Sequence, residues 1–302
     1  MRKLIALCGP TASGKSAAAI ELAKRIGGVI INGDAIQVYK QMPILSASPC
    51  AQDKACIPHY LYNYIDATEH YSAARYVQDA VALIASLPLD VPIILVGGSG
   101  MYINALIQGM HKIPDTTGEV KQKVASMHQD LGPEKMHQQL IALDPASKAL
   151  NPLDSKRVQR AYEVLLQTGK AITSFYTSEN FYQPLAGFNI QTVLISPERE
   201  LLYQMCDQRF DQFILNGAID EVRSLLENFD QLSISSKKTL GLMQLTSYLK
   251  GHISLLEACQ ITKQNTRHFA KRQITWFKHQ LQNPIVITAA SNLAQISLLM
   301  GK

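Results

Sequence analysis

A chain of 302 residues with 47% hydrophobic and 18% charged residues has ordinary globular usage, which excludes a disordered or fibrous protein and allows one large domain or two smaller ones. No apolar run approaches the roughly 20 residues that cross a bilayer. Met1-Arg2-Lys3 leads straight into an apolar stretch, so the expectation is a cytoplasmic protein with no membrane partner. The five cysteines form neither a C-x-x-C pair nor a Cys/His cluster, which argues against disulfides and structural zinc. Net charge is a mild +5, but no Asp or Glu follows Glu257, leaving Lys263, Arg267, Lys271, Arg272 and Lys278 uncompensated. Such a one-signed stretch suits a polyanion such as RNA, or else is a solvated helix face.

The first apolar stretch, residues 4 to 7, runs into Gly9-Pro10-Thr11-Ala12-Ser13-Gly14-Lys15-Ser16, a complete G-x-x-x-x-G-K-[ST] phosphate loop, with a helical pattern after it. Its backbone N–H groups can turn around phosphate oxygens, Lys15 can reach the outer phosphates, and Ser16 can hold Mg²⁺. A second apolar run, 29 to 32, ends at Gly33-Asp34. In a parallel sheet Asp34 would face the phosphate loop across the crevice at the strand ends, as magnesium ligand, general base or helix N-cap. A third run, 93 to 96, ends in Gly97-Gly98-Ser99-Gly100, where P-loop ATPases usually carry an acidic residue. Either the backbone approaches a ligand there or the segment is a plain turn.

Strands alternating with helical segments predict an α/β domain with a mostly parallel sheet. Strand signals vanish between about 113 and 187, where helical patterns are punctuated by Gly132-Pro133, Asp144-Pro145 and Asn151-Pro152. The expected organisation is therefore a P-loop core in two parts, 1–112 and 188–302, interrupted by an all-helical insertion at 113–187. Within the insertion Arg157 and Arg160 sit three apart, on an anion-binding or ion-pairing face. Strand character returns at 190 to 195, and a long helix over 255 to 281 precedes a last strand at 285 to 288. On that helix Arg267, Lys271 and Thr275 form one stripe, while Phe269 and Trp276 lie on another and suit either a nucleic-acid contact or the core.

Taken together, GPTASGKS at 9 to 16, Asp34 to Tyr39, Pro58-His59, Tyr71-Ser72-Ala73, GGSGMY at 97 to 102, DSKRVQRAYEV at 154 to 164, Arg209-Phe210 and AKRQITWF at 270 to 277 resemble the tRNA dimethylallyltransferase family. The resemblance implies a P-loop NTPase-like core whose helical insertion grips the anticodon stem-loop. It implies that residues Gly9 to Ser16 hold the pyrophosphate of dimethylallyl diphosphate with Mg²⁺ on Ser16. Asp34 would take a proton from the adenine N6 amine, and Thr11, Lys15 and Arg209 would stabilise the leaving pyrophosphate. Matching positions make Asp34, Ala35, Ile36, Gln37, Ser99, Lys121, Lys156, Arg157, Val158, Gln159 and Arg160 the expected tRNA contacts. Lys238 to Met243 and Arg267 to Gln273, including Arg267 and Lys271, are further candidates, and a monomer is expected.

The chain departs from the family pattern at Ala35, usually Ser, at Leu45-Ser46-Ala47-Ser48-Pro49, usually G-T-A-K-P, and at Gly241-Leu242, usually G-Y. These changes bear on the substrate loop rather than on the phosphate loop, Asp34 or Arg209. A P-loop small-molecule or nucleoside kinase, or an RNA-binding paralogue with weakened catalysis, are the alternative readings.

Overall fold

The structure, a computed structural model, describes residues 2–288. The chain begins with β1 (Lys3–Cys8), α1 (Lys15–Ile26), β2 (Val29–Asn32), α2 (Ala51–Cys56), β3 (His59–Tyr60), α3 (Ala73–Ser86), β4 (Ile93–Gly97) and α4 (Gly100–Ile107). Next come β5 (Met110–His111), α5 (Gly118–Leu143), α6 (Ser155–Thr168) and β6 (Phe181–Tyr182). The chain continues with β7 (Asn189–Ile195), α7 (Arg199–Leu215), α8 (Ala218–Leu225), α9 (Leu242–Leu249), α10 (Leu255–Gln280) and β8 (Ile285–Ile287).

It divides into two compact units, one running to Gln108 and resuming at Pro184, the other Gly109–Gln183. The expected insertion bounds of 113 and 187 lie four residues later at each end, and residues 289–302 of the last expected segment lie outside the described residues.

The first unit is a six-stranded sheet in the order β3-β2-β4-β1-β7-β8, with every pair parallel. Buried on both faces, such strands read as short apolar runs, and Leu4, Ile5, Leu7, Ile30 and Ile94 are at most 1% exposed. Helix α1 closes on Gly27 in a left-handed cap, and Ser72 caps α3 by accepting from Arg75 N. The decisive consequence is register. Cys8 lies opposite Gly97, and Asn32 opposite Val96, so the loops leaving β1, β2 and β4 emerge side by side at one sheet edge.

The second unit packs α5 against α6 around Val124, Met136, Leu140, Val158, Ala161 and Tyr162. Helix α5 breaks at Gly132 (φ 74°, ψ 167°) just before Pro133, where the sequence pattern placed its punctuation. The unit is not wholly helical. A two-residue antiparallel ribbon pairs Met110 with Tyr182 and His111 with Phe181, too short to show a strand period.

Candidate active site

The phosphate loop bends through two left-handed residues, Ala12 (φ 64°) and Gly14 (φ 83°), which turn successive N–H groups to one side. The first turn of α1 adds N–H donors with no partner inside the helix. Lys15 donates its Nζ to Pro10 O at 2.5 Å. Burial pulls its ammonium down from 10.5 to about 8, Asp34 opposing the shift and Arg209 adding to it. From α7, Arg209 donates to the Thr11 hydroxyl and lies over the Phe213 ring at 5.4 Å. Burial also lowers the pKa of this guanidinium. Neither cation has a carboxylate within ion-pairing distance among the described residues.

Asp34 is held by its backbone. Asn32 Oδ1 accepts from Asp34 N at 2.8 Å, and Asn32 Nδ2 donates to Asp34 O at 3.0 Å. No helix follows; Asp34 Oδ1 instead accepts from Ile36 N at 3.0 Å in an Asx turn. Ser99 Oγ accepts from Ala35 N at 2.8 Å, tying the turn after β2 to the turn after β4. The glycines of that second turn answer to close approach. A Cβ at Gly98 would collide with Gln273 Nε2, and one at Gly100 with the Trp276 ring.

Thr11, Asp34, Ala35, Ile36, Ser99 and Arg209 line a single cavity of about 480 Å³. Leu45, Phe210, Phe213, Leu240 and Phe269 give it an apolar wall. Oxyanion donors, a carboxylate and a hydrocarbon surface thus share one space of ordinary ligand size. The departing loop forms part of this wall and is fastened from outside. Glu221 accepts from Ile44 N at 2.7 Å and Leu45 N at 2.9 Å, and Gln37 Nε2 donates to Ser46 O at 3.1 Å and Ala47 O at 2.7 Å. Gln37, expected as a tRNA contact, therefore commits its amide nitrogen to the loop. At the other departure, Leu242 is fully buried behind Gly241.

No three His, Cys, Asp or Glu side chains converge among the described residues, so a magnesium ion here would depend on phosphate oxygens and water. Ser16, exposed in the first turn of α1, is a hard oxygen donor suited to that arrangement.

Two of the charge and exposure expectations behind the RNA contacts differ in the structure. The tail is not uncompensated: Arg267 Nη1 donates to both carboxylate oxygens of Asp207 at 2.7 Å, and Lys263 pairs with Asp211 at 2.7 Å. Both acids lie on α7, four residues apart, matching the spacing of the two cations on α10. Lys271 and Arg272 remain exposed, with His268, Thr275, His279 and the half-buried Trp276, along an open groove of α10. In the second unit Val158 is fully buried in the core, so its side chain is closed to any partner. Arg160 is occupied as well, donating to Thr116 Oγ1 at 3.0 Å and Pro114 O at 2.9 Å and pairing with Glu163 at 3.4 Å. Lys121, Lys156 and Arg157 are exposed and Gln159 partly so.

Sequence reasoning missed Asn32 as the clamp on Asp34, and it placed Gln273 among RNA contacts although that residue is 6% exposed. A buried amide that bonds only backbone leaves no periodic signal.

A family model described as IPP transferase matches residues 37–280. A tRNA dimethylallyltransferase of Orientia tsutsugamushi (strain Ikeda) is 41% identical, the match covering 94% of this chain and 93% of the relative. One from Rickettsia bellii (strain OSU 85-389) is 42% identical, covering 95% and 91%. Among solved structures, a full-length tRNA isopentenylpyrophosphate transferase from Bacillus halodurans is similar with a TM-score of 0.69 and 30% identity, covering 99% of this chain and 96% of that one. A eukaryotic dimethylallyltransferase described as acting on tRNA gives a TM-score of 0.79 at 25% identity, covering 98% and 75%. With the model matching most of its length and relatives above 40% identity along nearly all of it, this chain belongs to the IPP transferase family.

Proposed function

We propose that this protein transfers a dimethylallyl group from dimethylallyl diphosphate to N6 of the adenosine adjacent to the anticodon in tRNA, releasing pyrophosphate. The adenine nitrogen forms a bond to the allylic C1 as the C1–O bond breaks and its electron pair leaves on pyrophosphate. Asp34 takes the proton from N6, because an aryl amine is a poor nucleophile until positive charge on it can be relieved. Thr11, Lys15 and Arg209 take the charge that develops on the leaving oxygen. Mg²⁺ held by Ser16 and the diphosphate would supply further charge neutralisation.

The observation that carries this reading is the single cavity in which Asp34, the Thr11–Arg209 pair and a wall of Leu45, Phe210, Phe213, Leu240 and Phe269 meet. A kinase would leave that hydrocarbon wall without a ligand. A paralogue with weakened catalysis would have no reason to keep Lys15, Arg209 and Asp34 in place. A stacked base cannot enter a cavity, so the target adenosine is extruded from its loop. The exposed cations of α10 and, separately, of Lys121, Lys156 and Arg157 suit the phosphates of the anticodon arm. No helix among the described residues is long and apolar enough to cross a membrane; the reading is of a monomer that acts on tRNA in the cytoplasm.

Mass spectrometry of tRNA nucleosides after incubation with the protein, Mg²⁺ and dimethylallyl diphosphate tests the reading. The expected product is an adenosine carrying one five-carbon allyl group. ATP turnover in the absence of RNA, with no modified adenosine, would favour the kinase instead.

A further inference from the structure

Gln273 projects from α10 into the base of the site and is 6% exposed. Both ends of its amide are engaged. Oε1 accepts from Thr11 N at 2.7 Å, and Nε2 donates to Gly98 O at 2.8 Å. The partners fix the orientation, since a flipped amide would set oxygen against the Gly98 carbonyl and nitrogen against the Thr11 N–H. Each of the two backbone groups belongs to a functional loop. Thr11 carries the hydroxyl that receives Arg209, and the turn at Gly98 carries Ser99, whose Oγ holds Ala35 beside Asp34.

We infer that Gln273 is a positioning residue that pins the phosphate loop to the turn after β4, holding the leaving-group side of the cavity in register with the carboxylate side. Its neighbours Lys271 and Arg272 face outward. The same helix therefore presents cations to solvent and a buried amide to the site. Gln273 itself touches backbone on two loops and is not an RNA contact.

The role predicts a specific dependence on donor and acceptor. Gln273→Met removes both hydrogen bonds at similar volume, leaving Thr11 N and Gly98 O without their side-chain partner. Gln273→Glu keeps an acceptor for Thr11 N but sets a carboxylate oxygen against the Gly98 carbonyl, and on protonation it regains the donor. Calorimetric titration with inorganic pyrophosphate in the absence of RNA reads the phosphate end directly. It does not depend on which acceptor is prenylated, so its failure is separable from failure of the proposed transfer reaction. Gln273→Met should weaken pyrophosphate binding by about tenfold and slow single-turnover transfer, while tRNA affinity stays within about twofold.

Gln273→Glu should show a similar loss at pH 8 that shrinks toward the wild-type value as pH is lowered to 5.5, each point compared with wild type at the same pH. That recovery is the signature a merely structural residue would not give, and the isosteric Glu variant carries the test if Gln273→Met does not fold. Wild-type pyrophosphate affinity in Gln273→Met with tRNA binding lost would overturn the inference and make Gln273 an RNA contact. A pH-independent loss in Gln273→Glu would overturn it in favour of fold damage.

Discussion

Two groups of cations in this chain sit in opposite surroundings. At the phosphate loop, Lys15 and Arg209 are partly buried with no carboxylate in ion-pairing range among the described residues, and desolvation lowers the pKa of both. Along the α7–α10 contact, Lys263 and Arg267 each meet an aspartate at 2.7 Å, and in the second unit Arg160 meets Glu163 and two further oxygens. Paired, half-buried charges close a helix interface and are content without a ligand. Partly desolvated charges without a counter-ion cost the fold more and suit a site where an anion completes them. On the proposed function, the difference separates side chains that serve structure from side chains that would meet the diphosphate.

The largest expected effect lies with Asp34, the proposed base, which would act chiefly in the transition state. Asp34→Ala should lower turnover by about 10² to 10⁴ while tRNA affinity stays within a few fold. Single-turnover kinetics with saturating tRNA measure it. Lost tRNA binding with normal turnover per bound complex would make Asp34 an anchor rather than a base.

Lys15 sharpens the comparison through stability. Desolvation pulls its pKa from 10.5 down to about 8 in the folded protein, so below pH 8 the fold bears the full cost of a partly buried ammonium. Between those values the unfolded chain binds more protons than the folded one, and stability rises with pH. Lys15→Met should therefore stabilise the fold at pH 7 by about 1 to 3 kcal/mol, a gain that fades by pH 10.5. Thermal unfolding at the two pH values reads this directly. A variant that melts lower at pH 7 would mean that Lys15 is a structural cation after all.

Val158→Ala probes the interior of the second unit. Removing two methyl groups from a fully buried site should cost about 2 kcal/mol in denaturant unfolding while tRNA affinity of the folded protein stays within about twofold. Weakened tRNA affinity with unchanged stability would restore Val158 to the RNA surface.

The smallest effects divide the α10 stripe. Lys271→Ala should lower the slope of log affinity against log salt by about 0.7 to 0.9, as one phosphate contact does. Arg267→Ala should leave that slope nearly unchanged. A double-mutant cycle with Asp207 should give a coupling of about 0.5 to 1 kcal/mol. Equal slopes for the two variants would erase the distinction between paired and exposed cations on this helix.

What the sequence makes legible follows from how local the constraint is. A phosphate cradle needs glycine and lysine at fixed spacing, so Gly9 to Ser16 announces itself. Parallel pairing then brings Asp34 and Ser99 to the same edge because short apolar strands leave few other topologies. Partners far apart in the chain are another matter. Arg267 and Asp207 are 60 residues apart, and the pairing depends on the register of α10 against α7, which charge counting along one segment cannot reveal. Val158 lies inside a motif whose charged members face outward, and only the helix phase against α5 separates it from Lys156 and Arg157. The ribbon of Met110–His111 with Phe181–Tyr182 is shorter than any period that could announce it.

Pyrophosphate affinity, measured by calorimetry at pH 7 without RNA for wild type, Lys15→Met, Arg209→Met and Arg267→Met, tests the division between ligand cations and fold cations most directly. Lys15→Met and Arg209→Met should each lose at least about tenfold, as expected when a hydrogen-bonded charge is removed from an anion, and Arg267→Met should match wild type. Wild-type affinity in Lys15→Met, or a loss in Arg267→Met as large as in the other two, would contradict it.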